Sequence, residues 1–246
     1  MEKSTIWKFF DEDLDEYTLL VPSVAVGNVS QLACDLLISS LNMVKTGSVY
    51  TTAQIPVIGY DPYNLKSESL STSCEIYKSD SKKICILQIR SPLIFKYAKQ
   101  FLEEVIETFK EKKIKDVIIL TSSFAHEKKH ILSSSFRYIV SEGNPYAEKI
   151  KNGDMEKHEN NGGDLKILGG GFASLLYKIC LEKSLPCLIL FKYSSEGDNI
   201  PDAYDMVNKL TLVCSLFSED KDVFSQLLQP VSWTLLFGRP PPQDIY

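Results

Sequence analysis

Long apolar runs, histidine and excess positive charge are all scarce in this 246-residue sequence. No stretch approaches the ~18 consecutive apolar residues that a transmembrane helix needs, so we expect no membrane span. The first 16 residues lack the apolar core of a secretion signal. The 6 cysteines form no CxxC pair and lie mostly in apolar segments. We therefore expect reduced, packed thiols and a cytoplasmic or nuclear protein.

The balance of charge excludes two classes of partner. The sequence has 27 basic and 32 acidic residues, which give a formal net charge of −5. Nucleic acids and anionic membranes bind to basic surfaces, because their phosphates must be neutralised. The basic cluster at residues 110–115 contains Glu111 and precedes Asp116, which is typical of a solvated helix end. We therefore expect neither nucleic acid nor a membrane among the partners.

Alternating strand and helix patterns predict an α/β fold. In the clearest unit, residues 187–193 form an apolar run typical of a strand buried on both faces, and an acidic turn follows. Beyond the turn, apolar residues recur at steps of three and four and form one helical stripe: Ala203, Met206, Val207, Leu210, Val213, Cys214 and Phe217. The whole order predicts a mostly parallel sheet with one antiparallel hairpin and helices on both faces.

We expect one domain, over residues 1–238. Residues 1–16 show no clear period and are predicted to be a partly ordered lead-in, and residues 56–64 a loop. Residues 141–164 are rich in glycine and asparagine and are predicted to be a flexible surface insertion. Residues 239–246 are predicted to be an exposed, proline-rich tail.

Two asparagines are predicted to cap helices. Asn28 precedes a helical pattern, and Gln31 follows three residues later, as in a capping box. Asn199 precedes the helix that begins near Pro201, and proline suits a first helical turn.

Residues 126–130, His-Glu-Lys-Lys-His, match the HExxH pattern of zinc metalloproteases. That chemistry needs both imidazoles on one helical face, with the glutamate activating a zinc-bound water. Here the segment follows a strand and a polar loop, and it contains two lysines. The remaining histidine, His158, lies in the insertion, with Glu142 or Glu148 as a further possible ligand. We interpret the match as a coincidence and expect no metal site.

Gly169, Gly170 and Gly171 lie between a strand and a helix, where backbone N–H groups could hold a phosphate. The triplet matches neither the GxGxxG pattern nor the P-loop. We favour a tight crossover in which glycine lets the helix approach the sheet closely.

Four acidic residues surround the next turn: Glu196, Asp198, Asp202 and Asp205. They could bind magnesium at the carboxyl end of a strand, or they could interact with the dipole of the helix that follows. We favour the second interpretation. No GxSxG motif is present and no cysteine has a histidine nearby in the sequence, so we expect no catalytic residue.

Four stretches in order carry a family signal: residues 18–33 (TLLVPSVAVGNVSQLA), the glycine triplet, residues 195–203 (SEGDNIPDA) and residues 232–238 (SWTLLFG). Together they resemble the proteasome assembly chaperone 2 family, from about residue 17 to the end of the chain. The resemblance implies a three-layer α/β/α domain with a mostly parallel mixed sheet, similar to nucleoside phosphorylases. It marks turns of unknown role at Gly27, Asn28, Gly169, Gly170, Gly171, Glu196, Gly197, Asp198, Asn199 and Pro201.

The resemblance also implies a non-catalytic function without a cofactor. Members of the family form a heterodimer with proteasome assembly chaperone 1. The pair brings the α-subunits of the 20S proteasome into a ring and keeps immature particles from dimerising wrongly.

The family resemblance further implies a C-terminal hydrophobic-Tyr-any residue peptide that enters pockets between α-subunits. Ile245 and Tyr246 supply the first two residues, and they are the candidate partner-binding residues of the tail. No residue follows Tyr246, so its carboxylate would be displaced by ~3.3–3.6 Å in an extended chain.

The alternative function is a nucleotide-dependent enzyme of the phosphorylase or ligase type on the same fold. The glycine triplet and the turn at Glu196–Asp198 would then surround a nucleotide. Nucleotides with magnesium would stabilise such an enzyme against thermal unfolding.

Overall fold

A computed structural model describes residues 5–9, 14–130, 132–151, 154–159 and 164–235. Its strands are β1 (Thr5–Phe9), β2 (Thr18–Pro22), β3 (Val44–Thr51), β4 (Ile58–Tyr60), β5 (Leu70–Thr72), β6 (Cys74–Ser79), β7 (Ile84–Ile89), β8 (Asp116–Phe124), β9 (Phe136–Val140), β10 (Glu156–Lys157) and β11 (Cys187–Ser194). Its α-helices are α1 (Val29–Ser40), α2 (Phe95–Glu111), α3 (Ala147–Lys151), α4 (Ala173–Glu182), α5 (Ile200–Cys214) and α6 (Val223–Gln226).

One mixed sheet organises the fold, in the order β1-β3-β6-β7-β2-β8-β11-β9-β10. The four central strands, β7, β2, β8 and β11, are parallel. The flanking pairs β1–β3, β3–β6, β6–β7 and β11–β9 are antiparallel, and β10 is parallel to β9. The predicted antiparallel hairpin is β6–β7. A separate two-stranded hairpin, β4–β5, stands outside this sheet.

Helices cover both faces of the sheet, which confirms the predicted α/β/α layering. Successive residues of β8 alternate between two cores: Val117 lies in the core beneath α2 and α4, and Ile118 in the core beneath α1 and α5. The strand β11 alternates in the same way from Cys187 to Phe191. Because these strands are buried on both faces, their sequences read as continuous apolar runs.

Three short segments differ from the sequence prediction. The predicted lead-in contains β1, which pairs with β3, and the predicted loop at 56–64 contains β4. Within the predicted insertion at 141–164, the structure places α3 and β10, and Ile150 and Met155 are buried in the core beneath α5. These elements are two to five residues long and depend on partners distant in sequence, so local periodicity does not indicate them.

No helix in the part of the chain that the structure describes combines the length and the apolar composition needed to cross a bilayer.

Candidate functional site

Three turns with the family-like sequences meet at one edge of the sheet. Strands β2, β8 and β11 are parallel, so their carboxyl ends share that edge. The turn after β2 carries Gly27, the segment before α4 carries the glycine triplet, and the turn after β11 carries Asn199. The backbone N–H of Val26 donates to the carbonyl of Gly169 over 3.0 Å. In open α/β sheets this edge is where ligands usually bind.

Hydroxyl groups hold the glycine triplet to the sheet. Ser23 Oγ and Thr121 Oγ1 each donate to the carbonyl oxygen of Gly170 over 2.9 Å. The backbone N–H of Phe172, at the start of α4, donates to Ser23 Oγ over 2.9 Å. The N–H of Gly170 likewise donates to the carbonyl of Ile167 over 3.0 Å. Two N–H groups that a phosphate would need are therefore bonded within the protein, which favours the tight crossover over a phosphate cradle.

Gly171 shows how close that crossover is. Its φ is +58°, and a Cβ placed there would lie 2.1 Å from the carbonyl oxygen of Val24. Only glycine fits both the backbone conformation and the space.

Gly27 makes the second close approach, to Asn199. Its φ is +68°, and a Cβ there would lie 2.7 Å from both Cγ and Oδ1 of Asn199. Asn199 is buried, and its Nδ2 donates to the carbonyl of Ser195 and to Asp202 Oδ2, each over 2.8 Å. Among the described residues no group hydrogen-bonds to Asn199 Oδ1. The first and third family-like turns are thus in direct contact.

Both asparagines occupy the predicted N-cap positions, but neither side chain makes the predicted capping hydrogen bond. Asn28 has a left-handed φ of 51°, and its side chain makes no capping bond to α1. Asn199 precedes α5, but its amide donates to the carbonyl of Ser195 and to the side chain of Asp202, and its oxygen accepts no backbone N–H of the helix. The N–H of Ile200 is instead satisfied by Asp198 Oδ1, at 3.1 Å. Close tertiary packing with Gly27 determines the position of Asn199 and overrides its capping preference.

The acidic turn is partly neutralised by a lysine from the strand before it. Lys192 Nζ lies 2.5 Å from Asp202 and 2.6 Å from Asp205. Gly197 and Glu196 are exposed at the tip of the turn, and Pro201 occupies the first turn of α5. In the described ranges, no three histidine, cysteine, aspartate or glutamate side chains are grouped as a metal ion would need.

The HExxH segment is not one helix. His126 and Glu127 lie in a short 3₁₀ helix that ends at Glu127, and His130 follows in an exposed loop. The ring of His126 stacks on Phe124, with centroids 5.2 Å apart. The two imidazoles therefore do not share a helical face, as a zinc site of this type requires.

Sequence reasoning missed an exposed apolar surface formed by the β4–β5 hairpin and the segments next to it. We call it the hairpin surface: Ile55, Val57, Ile58, Tyr60, Leu70, Ile94 and Phe95. The two segments meet because the N–H of Ile94 donates to the carbonyl of Ala53, and Ser91 Oγ to that of Ile55, each over 2.8 Å. Phe95 is 97% exposed and Tyr60 83%. The available signal was the run of apolar residues within the predicted loop.

A largely buried polar network anchors the loop between β4 and β5. Arg90 Nη2 lies 2.9 Å from Asp35 Oδ1, and it also donates to the hydroxyl of Tyr63 over 2.9 Å. The same hydroxyl donates to Asp35 Oδ1 over 2.5 Å. The N–H of Ser232 donates to the carbonyl of Pro62 over 3.1 Å, so the fourth family-like stretch also reaches this loop.

Comparisons with known proteins agree with the fold. The model of the PAC2 family matches residues 19–217. Proteasome assembly chaperone 2 of Xenopus tropicalis is 34% identical, with 94% of this chain and 95% of that protein covered. Proteasome assembly chaperone 2 of Homo sapiens is 35% identical, with 95% and 96% covered.

Solved structures of archaeal proteins share the architecture. Pyrococcus furiosus PbaB, an archaeal proteasome activator, superposes with a TM-score of 0.67 at 16% identity, covering 91% of this chain and 93% of its own. Pyrococcus furiosus PbaA, an archaeal homolog of proteasome-assembly chaperone, gives a TM-score of 0.65 at 14% identity, covering 90% and 91%. At these identities the likeness shows a common fold.

Proposed function

The chain belongs to the PAC2 family, and from this membership we propose that it is a proteasome assembly chaperone. In this proposal it pairs with proteasome assembly chaperone 1, and the pair promotes formation of the α-ring of the 20S proteasome in the cytoplasm and nucleus. It acts by binding, through its surface and its tail, and catalyses no reaction. The observation that carries the proposal is the similarity, over nearly the whole length, to relatives that bear that name.

The hairpin surface supports the formation of a heterodimer. Ile58, Tyr60 and Phe95 are each at least 70% exposed, on neighbouring segments of one flank. Large apolar side chains exposed together on neighbouring segments often mark sites of protein association. Aromatic side chains are enriched at the energetic centres of such interfaces. We assign this surface to the related chaperone.

The anchoring network makes the surface suitable for binding. The contacts of Tyr63 with Asp35 and Arg90 hold the loop between β4 and β5 in place before a partner arrives. A surface that is ordered in advance loses less conformational entropy on association, and more of its contact energy then contributes to affinity.

The crowded carboxyl edge supports a role without catalysis. Gly171 and Gly27 bring three turns into contact where an α/β enzyme would hold its substrate. The alternative of an enzyme that uses the glycine triplet would need backbone N–H groups that are free to bind phosphate, whereas that of Phe172 is bonded to Ser23.

Co-expression with a tagged proteasome assembly chaperone 1 tests the proposal. We expect the wild-type chain to co-purify and proteasome α-subunits to follow. The double variant Ile58→Ser/Tyr60→Ser should lower recovery of the pair at least tenfold, because it removes central apolar contacts.

The matched control is Leu181→Ser/Leu212→Ser, which removes two exposed leucines from α4 and α5. It should leave recovery unchanged. Failure of the wild-type chain to bind the related chaperone would contradict the heterodimer. Binding that is equally strong in the hairpin variant would place the interface elsewhere.

A further inference from the structure

The last part of the chain that the structure describes runs beside the loop between β4 and β5. The N–H of Leu228 donates to Ser40 Oγ, at the end of α1, over 2.8 Å. The N–H of Ser232 donates to the carbonyl of Pro62 over 3.1 Å. Trp233 packs against the core beneath α1 and α5. These contacts fix the position from which the chain continues toward its carboxyl end, and that position is next to the hairpin.

The hairpin presents one apolar face to solvent. Ile58 and Tyr60 are separated by one residue in β4, so their side chains project from the same side of the strand. Leu70 lies directly opposite Tyr60 in β5 and shares that side. The three side chains are 70%, 83% and 51% exposed, respectively. On the other side of β5, Ser71 is buried and donates to Glu75 of β6 over 2.7 Å, so only the apolar face is open to an occupant.

Residues 236–246, which lie outside the described residues, are long enough to cover this face. Pro62 follows Ile58 by four residues, so their Cα atoms are at most ~14 Å apart. Ser232 lies in a 3₁₀ helix that ends at Leu235, and the rise over these residues is about 6 Å. A segment of 11 residues spans up to ~36–40 Å when fully extended. The segment can therefore reach from Leu235 across β4.

The composition of this segment suits the exposed side chains of the hairpin surface. It contains three consecutive prolines at residues 240–242, and Ile245 and Tyr246 follow shortly after them. Consecutive prolines favour the polyproline II conformation. Proline-rich segments bind to surfaces lined with aromatic side chains, and they lose little entropy because that conformation is formed beforehand. The hairpin surface offers such side chains in Tyr60 and Phe95.

We propose that residues 236–246 bind to the hairpin surface of their own chain when no partner is present. The prolines lie against Tyr60, and Ile245 and Tyr246 cover the apolar side chains beyond it. Because the segment is tethered beside the hairpin, its effective concentration is in the millimolar range, and a weak contact is sufficient.

This contact regulates the surface that we assign to the related chaperone. The chaperone displaces the segment when it binds, and formation of the pair thereby releases the tail for the α-subunits. The release rests on the proposed function, whereas the contact within the free chain does not.

Amide NMR spectra of the free chain test the contact. Deleting residues 239–246, which keeps the fourth family-like stretch, should shift the resonances of residues 58–60 and 70 because their cover is removed. A synthetic peptide of residues 239–246, RPPPQDIY, should reverse these shifts when it is added to the deletion variant. It should bind the full-length chain about two- to tenfold more weakly, since the tethered segment competes with it.

Substitutions in the deletion variant locate the contact. Ile58→Ser/Tyr60→Ser should abolish binding of the peptide at millimolar concentration. The matched control, Leu181→Ser/Leu212→Ser, removes two exposed leucines from α4 and α5 and should bind the peptide without loss. A peptide in which glycine replaces the three prolines should bind more weakly, because its conformation is not formed beforehand. Unshifted resonances of residues 117–120 show that each variant is folded.

Three results would overturn the inference: resonances of residues 58–60 that the deletion leaves unchanged, equal binding of the peptide by both serine variants, or a full-length chain that is dimeric through the hairpin surface. The last result would assign the surface to a second copy of the chain.

Affinity for the related chaperone separates this inference from the proposed function. The deletion should raise that affinity about two- to tenfold, because the apparent Kd depends on the fraction of chains whose surface is uncovered. An unchanged affinity would contradict the release of the tail. Chaperone binding that requires Ile58 and Tyr60, combined with a deletion that shifts no resonance of the hairpin, would refute the inference and leave the proposed function intact.

Discussion

Gly171 joins the start of α4 to the turn after β2, and a side chain at this position has no space. We expect Gly171→Ala to lower the free energy of unfolding by about 3 kcal/mol or more, from a positive φ and from the contact with Val24. Gly143→Ala is the control, because Gly143 has a φ of +71° but no atom within 4 Å of its added Cβ. Gly143→Ala should lower the free energy of unfolding by only ~1–2 kcal/mol. Urea denaturation measures the free energy of unfolding of both variants. Equal losses would show that the backbone moves away from the clash with Val24 at no cost.

Asp116 carries a second prediction at the residue scale, one that depends on pH. It is fully buried at the start of β8, and burial raises its pKa from 3.8 to about 6. Its Oδ1 has no hydrogen-bond partner among the described residues, and Oδ2 accepts only a 3.4 Å bond from Thr18. Tyr146 and Cys214 pack nearby, and Lys115 is the neighbouring cation.

Because folding disfavours its charged form, Asp116 should destabilise the protein as the pH rises from about 4 to about 6. The loss reaches about 2–3 kcal/mol and is constant above that range. Asp116→Asn should remove this dependence, so the variant gains stability relative to the wild type at pH 7.5 but not at pH 4. Denaturation curves at both values measure the difference. A gain that is the same at both would exclude titration of Asp116 as the cause.

Among the elements, long buried strands and amphipathic helices could be predicted and short edge elements could not. β8 and β11 are recognisable because every residue from 117 to 120 and from 187 to 191 is buried. β1 has alternating exposure over five residues, and it pairs with β3, which follows α1 in the sequence. Its strand character comes from that pairing, which local sequence does not encode.

The β4–β5 hairpin is the element whose order depends most on a few side chains. Tyr63→Phe removes the hydroxyl shared by Asp35 and Arg90 and should cost about 1–3 kcal/mol, because it leaves buried charged groups with fewer partners. We expect amide exchange to accelerate in residues 58–72, more than in β8. Tyr60→Phe, at an 83% exposed position, is the matched control. If exchange in the hairpin is unaltered in Tyr63→Phe, another contact holds it.

At the scale of the whole molecule, the sequence identified the family-like turns but not their meeting point. Gly27 and Asn199 are separated by more than 170 residues, and their contact follows from the order of β2, β8 and β11 in the sheet. Strand order is set by the total burial of many side chains, and no local pattern specifies it. The hairpin surface was missed because apolar residues, even in a predicted loop, are ordinarily expected to be buried.

The tail gives a prediction that concerns the assembled particle. Ile245 and Tyr246 lie outside the described residues, and their insertion between α-subunits remains part of the proposed function. Deleting both should lower affinity for 20S precursors, because the apolar side chains that would enter the pocket are lost. Gln243→Ala/Asp244→Ala keeps the terminal pair and is the control. Unchanged affinity in the deletion, measured by surface plasmon resonance, would assign anchoring to the partner subunit.

The hydroxyl of Ser23 reaches Gly170 and Phe172, which lie 147 and 149 residues further along the chain. During synthesis β2 is therefore complete long before the glycine triplet that packs against its carboxyl end has been made. The β6–β7 hairpin pairs neighbouring segments, so it forms with little loss of loop-closure entropy, whereas the edge near Ser23 requires the chain as far as Phe172. The order of folding should thus run from the β6–β7 hairpin toward the carboxyl edge that holds the glycine triplet. The hairpin surface would be made early as well, but its loop gains the contact with Ser232 only when synthesis is nearly finished.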